Sequence, residues 1–189
     1  ESVIDLDKDN YSLLVAKFGI KCLLFNRFYH GDLHSGNILF IKDNENNYKL
    51  GILDFGVCGE ITKCEQNEFF NLFVLIGKTE DYLDVAEFIV NNLVEPKSAV
   101  QSLNEKQLKY IIAKLANISK KTFSNIGFGV SELYEISYLL SHYNLTLTRN
   151  FCRIELSLAI ANSVTSKLSY KTSYIKNIKS ILGDIPLIF

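Results

Sequence analysis

Three polar side chains near the start of the chain have the types and the spacing that hold a metal ion against phosphates. Asp32 and Asn37 lie five positions apart on one polar, glycine-bearing segment, and Asp54 follows an apolar run further along. Carboxylate and amide oxygens are hard ligands of the kind that Mg²⁺ prefers. Phosphoryl transfer needs little beyond such a metal site and a carboxylate near the attacking oxygen. The set predicts Asn37 and Asp54 as metal ligands and Asp32 as the residue that orients the nucleophile.

The segments around these residues predict how they come together. Residues 38–41 and 48–53 are short apolar runs, and the polar cluster 43–47 separates them. Two such runs around a turn cluster are typical of a β-hairpin. The first run follows Asn37 directly and the second ends just before Asp54. A hairpin would therefore return Asp54 to the side of Asn37.

The remainder of the chain predicts helices. Residues 11–28 carry apolar side chains at largely helical spacing and predict a long buried helix before the polar segment. Five more helices are predicted after the hairpin, with Pro96 between the second and third of them: residues 64–77, 80–93, 104–123, 131–143 and 150–168. The expected fold class is mainly α with one small hairpin, in a single domain over residues 1–168.

The order of the polar motifs resembles the protein-kinase signature. Residues 30–37 read HGDLHSGN, which fits H-x-D-x-x-x-x-N, and residues 54–56 read DFG. Either motif alone proves little, but their order and the two intervening runs are specific. The resemblance implies a catalytic loop that contains His30 and Asp32, with His30 propping the loop. It also implies that Phe55 and Gly56 join Asn37 and Asp54 in binding the nucleotide.

The sequence around these motifs separates the kinase-like families. His34 stands where protein kinases usually carry lysine, and Gly31 where they carry arginine. The loop resembles both the UbiB family of atypical kinases and the aminoglycoside and choline phosphotransferases. The residues after DFG, VCGEI at 57–61, run towards a helix in a pattern that is similar to the UbiB family. Gly31 and Ser35 depart from the alanine and proline usual in that family, and they leave the metal ligands untouched.

The UbiB resemblance implies an ATP- and Mg²⁺-dependent kinase or ATPase with a role in isoprenoid-quinone (ubiquinone) lipid metabolism. A small-molecule phosphotransferase and a non-catalytic pseudokinase scaffold are the alternatives. The chain resembles a C-terminal lobe, because no glycine-rich phosphate loop and no V-A-I-K-type lysine occurs in it. The expected partner is an N-lobe from upstream in the same polypeptide, and the chain alone is expected to be inactive. Glu1 at the start and the lack of methionine also favour an excised piece.

Composition limits the kinds of partner that the protein could bind and indicates its cellular compartment. A formal net charge of −1 and 22% charged residues argue against a nucleic-acid-binding face. Four cysteines without C-x-x-C spacing predict free thiols in a reducing, intracellular compartment. The tail, residues 169–189, is basic and amphipathic, which fits either a membrane or lipid surface or an ordinary packed helix. The family resemblance adds the expectation of membrane association or an organellar location.

Overall fold

The computed structural model describes residues 5–78, 81–124, 130–169 and 181. Helices dominate, and the strands are short, so the expected mainly α class is confirmed. The helices are α1 (Asp5–Asn26), α2 (Lys63–Lys78), α3 (Leu83–Phe88), α4 (Lys97–Ser102), α5 (Glu105–Ser124), α6 (Val130–Ser141) and α7 (Arg149–Leu168). The strands are β1 (Phe28–His30), β2 (Ile38–Lys42), β3 (Tyr48–Ile52), β4 (Cys58–Glu60), β5 (Val94–Glu95) and β6 (Thr146–Leu147).

The core forms where the first and last long helices pack together. Ile20 and Leu23 of α1 and Ile154 of α7 are almost completely buried. Burial of a large aliphatic side chain contributes about 1.5–3 kcal/mol, so this contact is a main source of stability. A buried hydrogen bond from the Ser12 hydroxyl to the Thr165 carbonyl oxygen (3.1 Å) fixes the two helices relative to each other. The loop that carries the polar motifs rests on this helix pair.

The predicted hairpin is present as β2 and β3. The strands pair antiparallel from Ile38 opposite Ile52 to Lys42 opposite Tyr48. Its turn is closed by Asp43, whose carboxylate accepts backbone N–H groups of Glu45 (3.0 Å) and Asn47 (2.9 Å). A short polar side chain that bonds its own turn explains why the cluster 43–47 reverses the chain.

A second strand pair, β1 with β4, was not predicted. The helix expected over residues 11–28 instead ends at Asn26, and Arg27 has a left-handed backbone with φ of 53°. Phe28 therefore lies in β1, opposite Glu60 of β4. A Cβ at position 59 would collide with the ring of Tyr29, so Gly59 leaves the space that this ring occupies. The expectation that the residues after DFG run almost directly into a helix needs one correction: β4 comes first, and α2 begins at Lys63.

The prediction of helices alone after DFG is corrected in two further places. The helix expected over 80–93 is α3, whose last turn widens into a π-helix over Ile89–Leu93, and residues 79–80 lie outside the described part. The short helix α4 and the β5–β6 pair were not expected. Segments of two to six residues have too few positions to show a period.

The far end of the hairpin is fixed to α1 by what we call the hairpin clamp: Asp7, Tyr11, Lys42 and Tyr48. The Asp7 carboxylate accepts hydrogen bonds from Tyr48 Oη (2.6 Å) and Lys42 Nζ (3.0 Å). The Tyr11 ring meets the Tyr48 ring edge-on, 5.2 Å between centroids. These bonds lower the pKa of Asp7, the Tyr48 hydroxyl first and the Lys42 ammonium second. The clamp thereby holds the far end of the hairpin against α1.

The predicted tail, residues 169–189, lies outside the described residues except for positions 169 and 181. In the described helices, no stretch combines the length and the apolar character needed to cross a bilayer.

Candidate functional site

The loop between β1 and β2 closes on itself and brings Asp32 next to Asn37. The backbone N–H of His34 donates to the Asp32 carbonyl oxygen (2.9 Å), and that of Asn37 donates to the His34 carbonyl oxygen (3.0 Å). The Asn37 side-chain amide nitrogen also donates to the Asp32 carbonyl oxygen (3.0 Å). This bond orients the amide through its nitrogen, so the amide oxygen is left available as a ligand.

His30 and Leu33 support the loop from below. Leu33 is 1% exposed and His30 is 4% exposed. The Nδ1 atom of His30 accepts the Asp32 backbone N–H (3.3 Å), and the His30 carbonyl oxygen accepts the Ser157 hydroxyl of α7 (2.7 Å). The His30 ring lies 5.4 Å from the Phe55 ring between centroids. His30 therefore has the surroundings of a packing side chain that joins the loop, DFG and α7.

Asp54 lies at the same end of the hairpin as Asn37. The backbone N–H of Leu53 donates to the Asn37 carbonyl oxygen (2.9 Å), which continues the β2–β3 ladder to the residue before Asp54. Asp54 has a left-handed backbone with φ of 51°, and its Oδ1 accepts the Gly56 N–H (2.9 Å). Such a conformation costs an aspartate of order 1 kcal/mol, and strain of this kind concentrates at functional sites.

DFG is fastened on its other side as well. The backbone N–H of Gly31, next to Asp32, donates to the Val57 carbonyl oxygen (2.7 Å). A Cβ at position 31 would lie 2.8 Å from Val57 Cγ1 and 3.2 Å from that carbonyl oxygen. Glycine at 31 thus permits the close approach of the two segments.

The ligand set fits a magnesium ion that is shared with phosphates. Within the described residues, no three His, Cys, Asp or Glu side chains form a group that could hold a metal by themselves. The site instead offers one amide oxygen from Asn37 and the carboxylate of Asp54, which is exposed. Mg²⁺ usually takes one or two protein oxygens and completes its shell with water and substrate phosphates. The donor set is therefore of the right chemistry and number for that mode of binding.

His34 is a site residue that the sequence reading noted without giving it a role. Its Nδ1 accepts the Gly36 backbone N–H (3.0 Å), so the neutral ring carries its proton on Nε2. That atom lies 3.7 Å from Asp32 Oδ2. A Cβ at position 36 would lie 2.9 Å from His34 Cε1, so a larger residue there would displace the ring from this position. In the sequence, the only hint of this contact was the position of Gly36, two residues after His34.

Comparison with known proteins agrees with this geometry. Residues 4–89 match the family model of the ABC1 atypical kinase-like domain. The proteins named "Probable protein kinase UbiB" from Shewanella oneidensis and Shewanella baltica are each 28% identical to the chain over 156 residues. Both alignments cover 79% of the chain and 27% of the relative. No solved structure matches the chain.

The fold and the site together define a kinase-like C-lobe, with a catalytic-type loop, a hairpin and a DFG segment ahead of a helical body. The chain is similar to the UbiB/ABC1 family of atypical kinases, and the family match over residues 4–89 covers the loop, the hairpin and DFG. It spans about a quarter of the length of the curated relatives it matches.

Proposed function

We propose that the complete protein transfers or hydrolyses the terminal phosphate of ATP with the help of Mg²⁺. Asn37 and Asp54 would hold the metal, which supplies neutralisation of phosphate charge when bound. Asp32 would orient the attacking hydroxyl or water and accept its proton. His34 Nε2 lies 3.7 Å from its carboxylate. The observation that carries the proposal is the hydrogen bond between Leu53 and Asn37, because it puts Asp54 beside the loop of Asp32.

Exposed apolar side chains beside this site favour a nucleotide and a covering lobe. Leu39, two positions after Asn37, is 49% exposed. Leu53, directly before Asp54, is 42% exposed. Phe55 and Val57 are 56% and 58% exposed. A flat base needs an apolar surface near the groups that hold its phosphates. A contiguous apolar surface on a protein also usually marks a contact with another domain or protein.

Two further parts of the proposal concern the partner and the biological role. We propose that the apolar surface of Leu39, Leu53, Phe55 and Val57 receives an N-lobe of the same polypeptide, which would supply the remaining nucleotide contacts. The resemblance to the UbiB family supports a role in isoprenoid-quinone lipid metabolism, with a lipid or membrane surface as a second partner. The basic residues 169–189 support that second partner by composition alone.

Substitution of Asp54 tests the proposal in the complete protein. Asp54→Asn should lower Mg²⁺-dependent ATP turnover at least about a hundredfold, because a metal-held charge on the phosphates is lost from the transition state. Thermal unfolding should change little, since Asp54 is exposed and asparagine also adopts a left-handed backbone.

Asp43→Asn is the matched control, because it makes the same chemical change on the same hairpin. Asp43 closes the turn and pairs with Lys49 at 3.0 Å. This variant should melt at a lower temperature and keep its turnover per folded molecule. If Asp54→Asn kept Mg²⁺-dependent turnover, the site would not be catalytic. If the unmodified protein bound ATP without turnover, the pseudokinase scaffold would replace the proposal.

A further inference from the structure

A second concave surface lies between α5 and α6, on elements that carry none of the loop or DFG residues. It is a groove of about 520 Å³, which is within the usual range for small-molecule sites. Its walls combine aromatic, basic and imidazole side chains: Tyr110, Lys114, Lys121, Tyr138, His142 and Tyr143. The proposed ATP chemistry gives this groove no role.

The aromatic walls of the groove are open to solvent. Tyr110 is 48% exposed and Tyr138 is 60% exposed. The Tyr138 ring meets the His142 ring edge-on at 4.6 Å between centroids. His142 Nδ1 lies 2.8 Å from the Tyr138 carbonyl oxygen, and since a carbonyl only accepts, this nitrogen donates and holds the imidazole in place. An exposed tyrosine face beside a held imidazole is a surface on which a flat ring can stack.

The charge of the groove is positive at one point. Lys121 is paired with Glu135 at 3.1 Å, so its charge is compensated. Lys114 lies 5.6 Å from the centroid of the Tyr110 ring, and in the described part of the chain no carboxylate pairs with it. Among the described residues, the Lys114 ammonium therefore lies beside the Tyr110 ring without a paired carboxylate. A cation and an apolar face side by side are complementary to an anionic aromatic molecule.

We propose that the groove between α5 and α6 binds a small aromatic monoanion, such as an aromatic carboxylate, with the anion on Lys114 and the ring on Tyr138. A single uncompensated lysine fits one negative charge. Attachment to an anionic membrane surface usually uses clusters of about four to eight basic residues, which this groove lacks among its described lining. The inference does not depend on the proposed ATP chemistry.

The test uses 2-naphthoate and its uncharged counterpart 2-naphthamide, titrated by calorimetry into the complete protein. Naphthoate should bind and naphthamide should bind more weakly. Lys114→Gln should weaken naphthoate about tenfold, the usual effect of losing a charge-assisted hydrogen bond, and leave naphthamide unchanged. Tyr138→Ala should weaken both compounds.

One control variant makes the lysine change outside the groove. Lys109→Gln removes a lysine of α5 that pairs with Glu105. It should leave both affinities unchanged. Equal binding of naphthoate and naphthamide would overturn the proposal, as would naphthoate binding that Lys114→Gln does not weaken. Lys114-dependent binding to vesicles of phosphatidylserine, without naphthoate binding, would overturn it in favour of a membrane surface.

Discussion

The two ends of the β2–β3 hairpin carry similar residue types in opposite states. At the far end, Asp7 accepts from Lys42 and Tyr48, and Asp43 from Lys49 and its own turn. At the near end, Asp54 is exposed and uses one carboxylate oxygen on Gly56, in a left-handed backbone.

The number of protein donors on each carboxylate distinguishes aspartates that stabilise the fold from aspartates with oxygens available to a ligand. A carboxylate has about four acceptor positions. Asp43 uses both of its oxygens for protein donors, and Asp7 uses Oδ1 for two of them. The acceptor positions of Asp54 are largely free for a ligand. Residue type alone does not reveal this, because all of these residues are aspartates. The contacts of each side chain assign the role.

Asp32→Asn should give the largest effect of the variants that test this comparison. If Asp32 orients the nucleophile, turnover in the complete protein should fall by about 10²–10⁴-fold, since general-base catalysis contributes that much. Melting temperature and nucleotide affinity should stay nearly constant, because the loop is closed through the Asp32 backbone carbonyl and not through its carboxylate. Steady-state kinetics and thermal melting check this, and an unaltered turnover number would assign Asp32 to the structural group.

A third kind of carboxylate lies in the helical body. Glu155 of α7 is 6% exposed, and burial raises its pKa from 4.5 to about 8. The folded protein must keep this group protonated while the unfolded chain ionises it, so stability is full below pH 4.5 and falls as the pH rises towards 8. Glu155→Gln should therefore raise the free energy of unfolding by roughly 2–3 kcal/mol at pH 7, and by little at pH 4.

Urea unfolding at pH 4 and pH 7 measures this effect. Glu132→Gln is the control, because Glu132 lines the same small cavity but is only half-buried and accepts from the Ser131 hydroxyl (2.8 Å). It should change stability little at either pH. A Glu155→Gln protein that gains nothing at pH 7 would show that Glu155 is ionised in the fold.

Asp7→Asn should show that the hairpin clamp stabilises the fold but does not position the residues of the candidate site. The asparagine keeps the shape but loses the charge that holds Lys42 and the Tyr48 hydroxyl, so the melting temperature should fall by a few degrees. Turnover per folded molecule should remain within about twofold, because the near end is fixed independently through Leu53 and Asn37. A large loss of turnover with intact folding would mean that the clamp also positions the site.

Acid should weaken the turn at the far end of the hairpin. The backbone N–H of Asn47, followed by the Lys49 ammonium, lowers the pKa of Asp43 from 3.8 to about 2. A lowered pKa contributes stability above the unfolded value that is lost as the pH falls through about 3.8 to about 2. The melting temperature, followed by circular dichroism across this pH window, should depend less on pH in Asp43→Asn. An unchanged pH dependence would contradict the contribution of Asp43 to stability.

The sequence predicted the parts of the fold that local pattern controls. The loop, the hairpin and the later helices followed from motif spacing, turn chemistry and apolar periodicity. The β1–β4 pair did not, because its strands have three residues each and pair across a separation of about 30 positions. The hairpin clamp also escaped, since a bond between Asp7 and Tyr48 joins positions that no periodicity relates. The His34 contact to Asp32 depends on a ring orientation that only the Gly36 backbone sets.

The two backbone bonds on either side of DFG limit how far this segment can swing. Leu53 is tied to Asn37 and Val57 to Gly31, so only Asp54, Phe55 and Gly56 form the span between anchors. Three residues reach at most about 10 Å when fully extended. Phe55 can rotate away from His30 within that tether, but the segment cannot make a long excursion unless β4 detaches from β1. Any conformational control at this position would therefore consist of a local rotation of Phe55 and not of a large displacement of the segment.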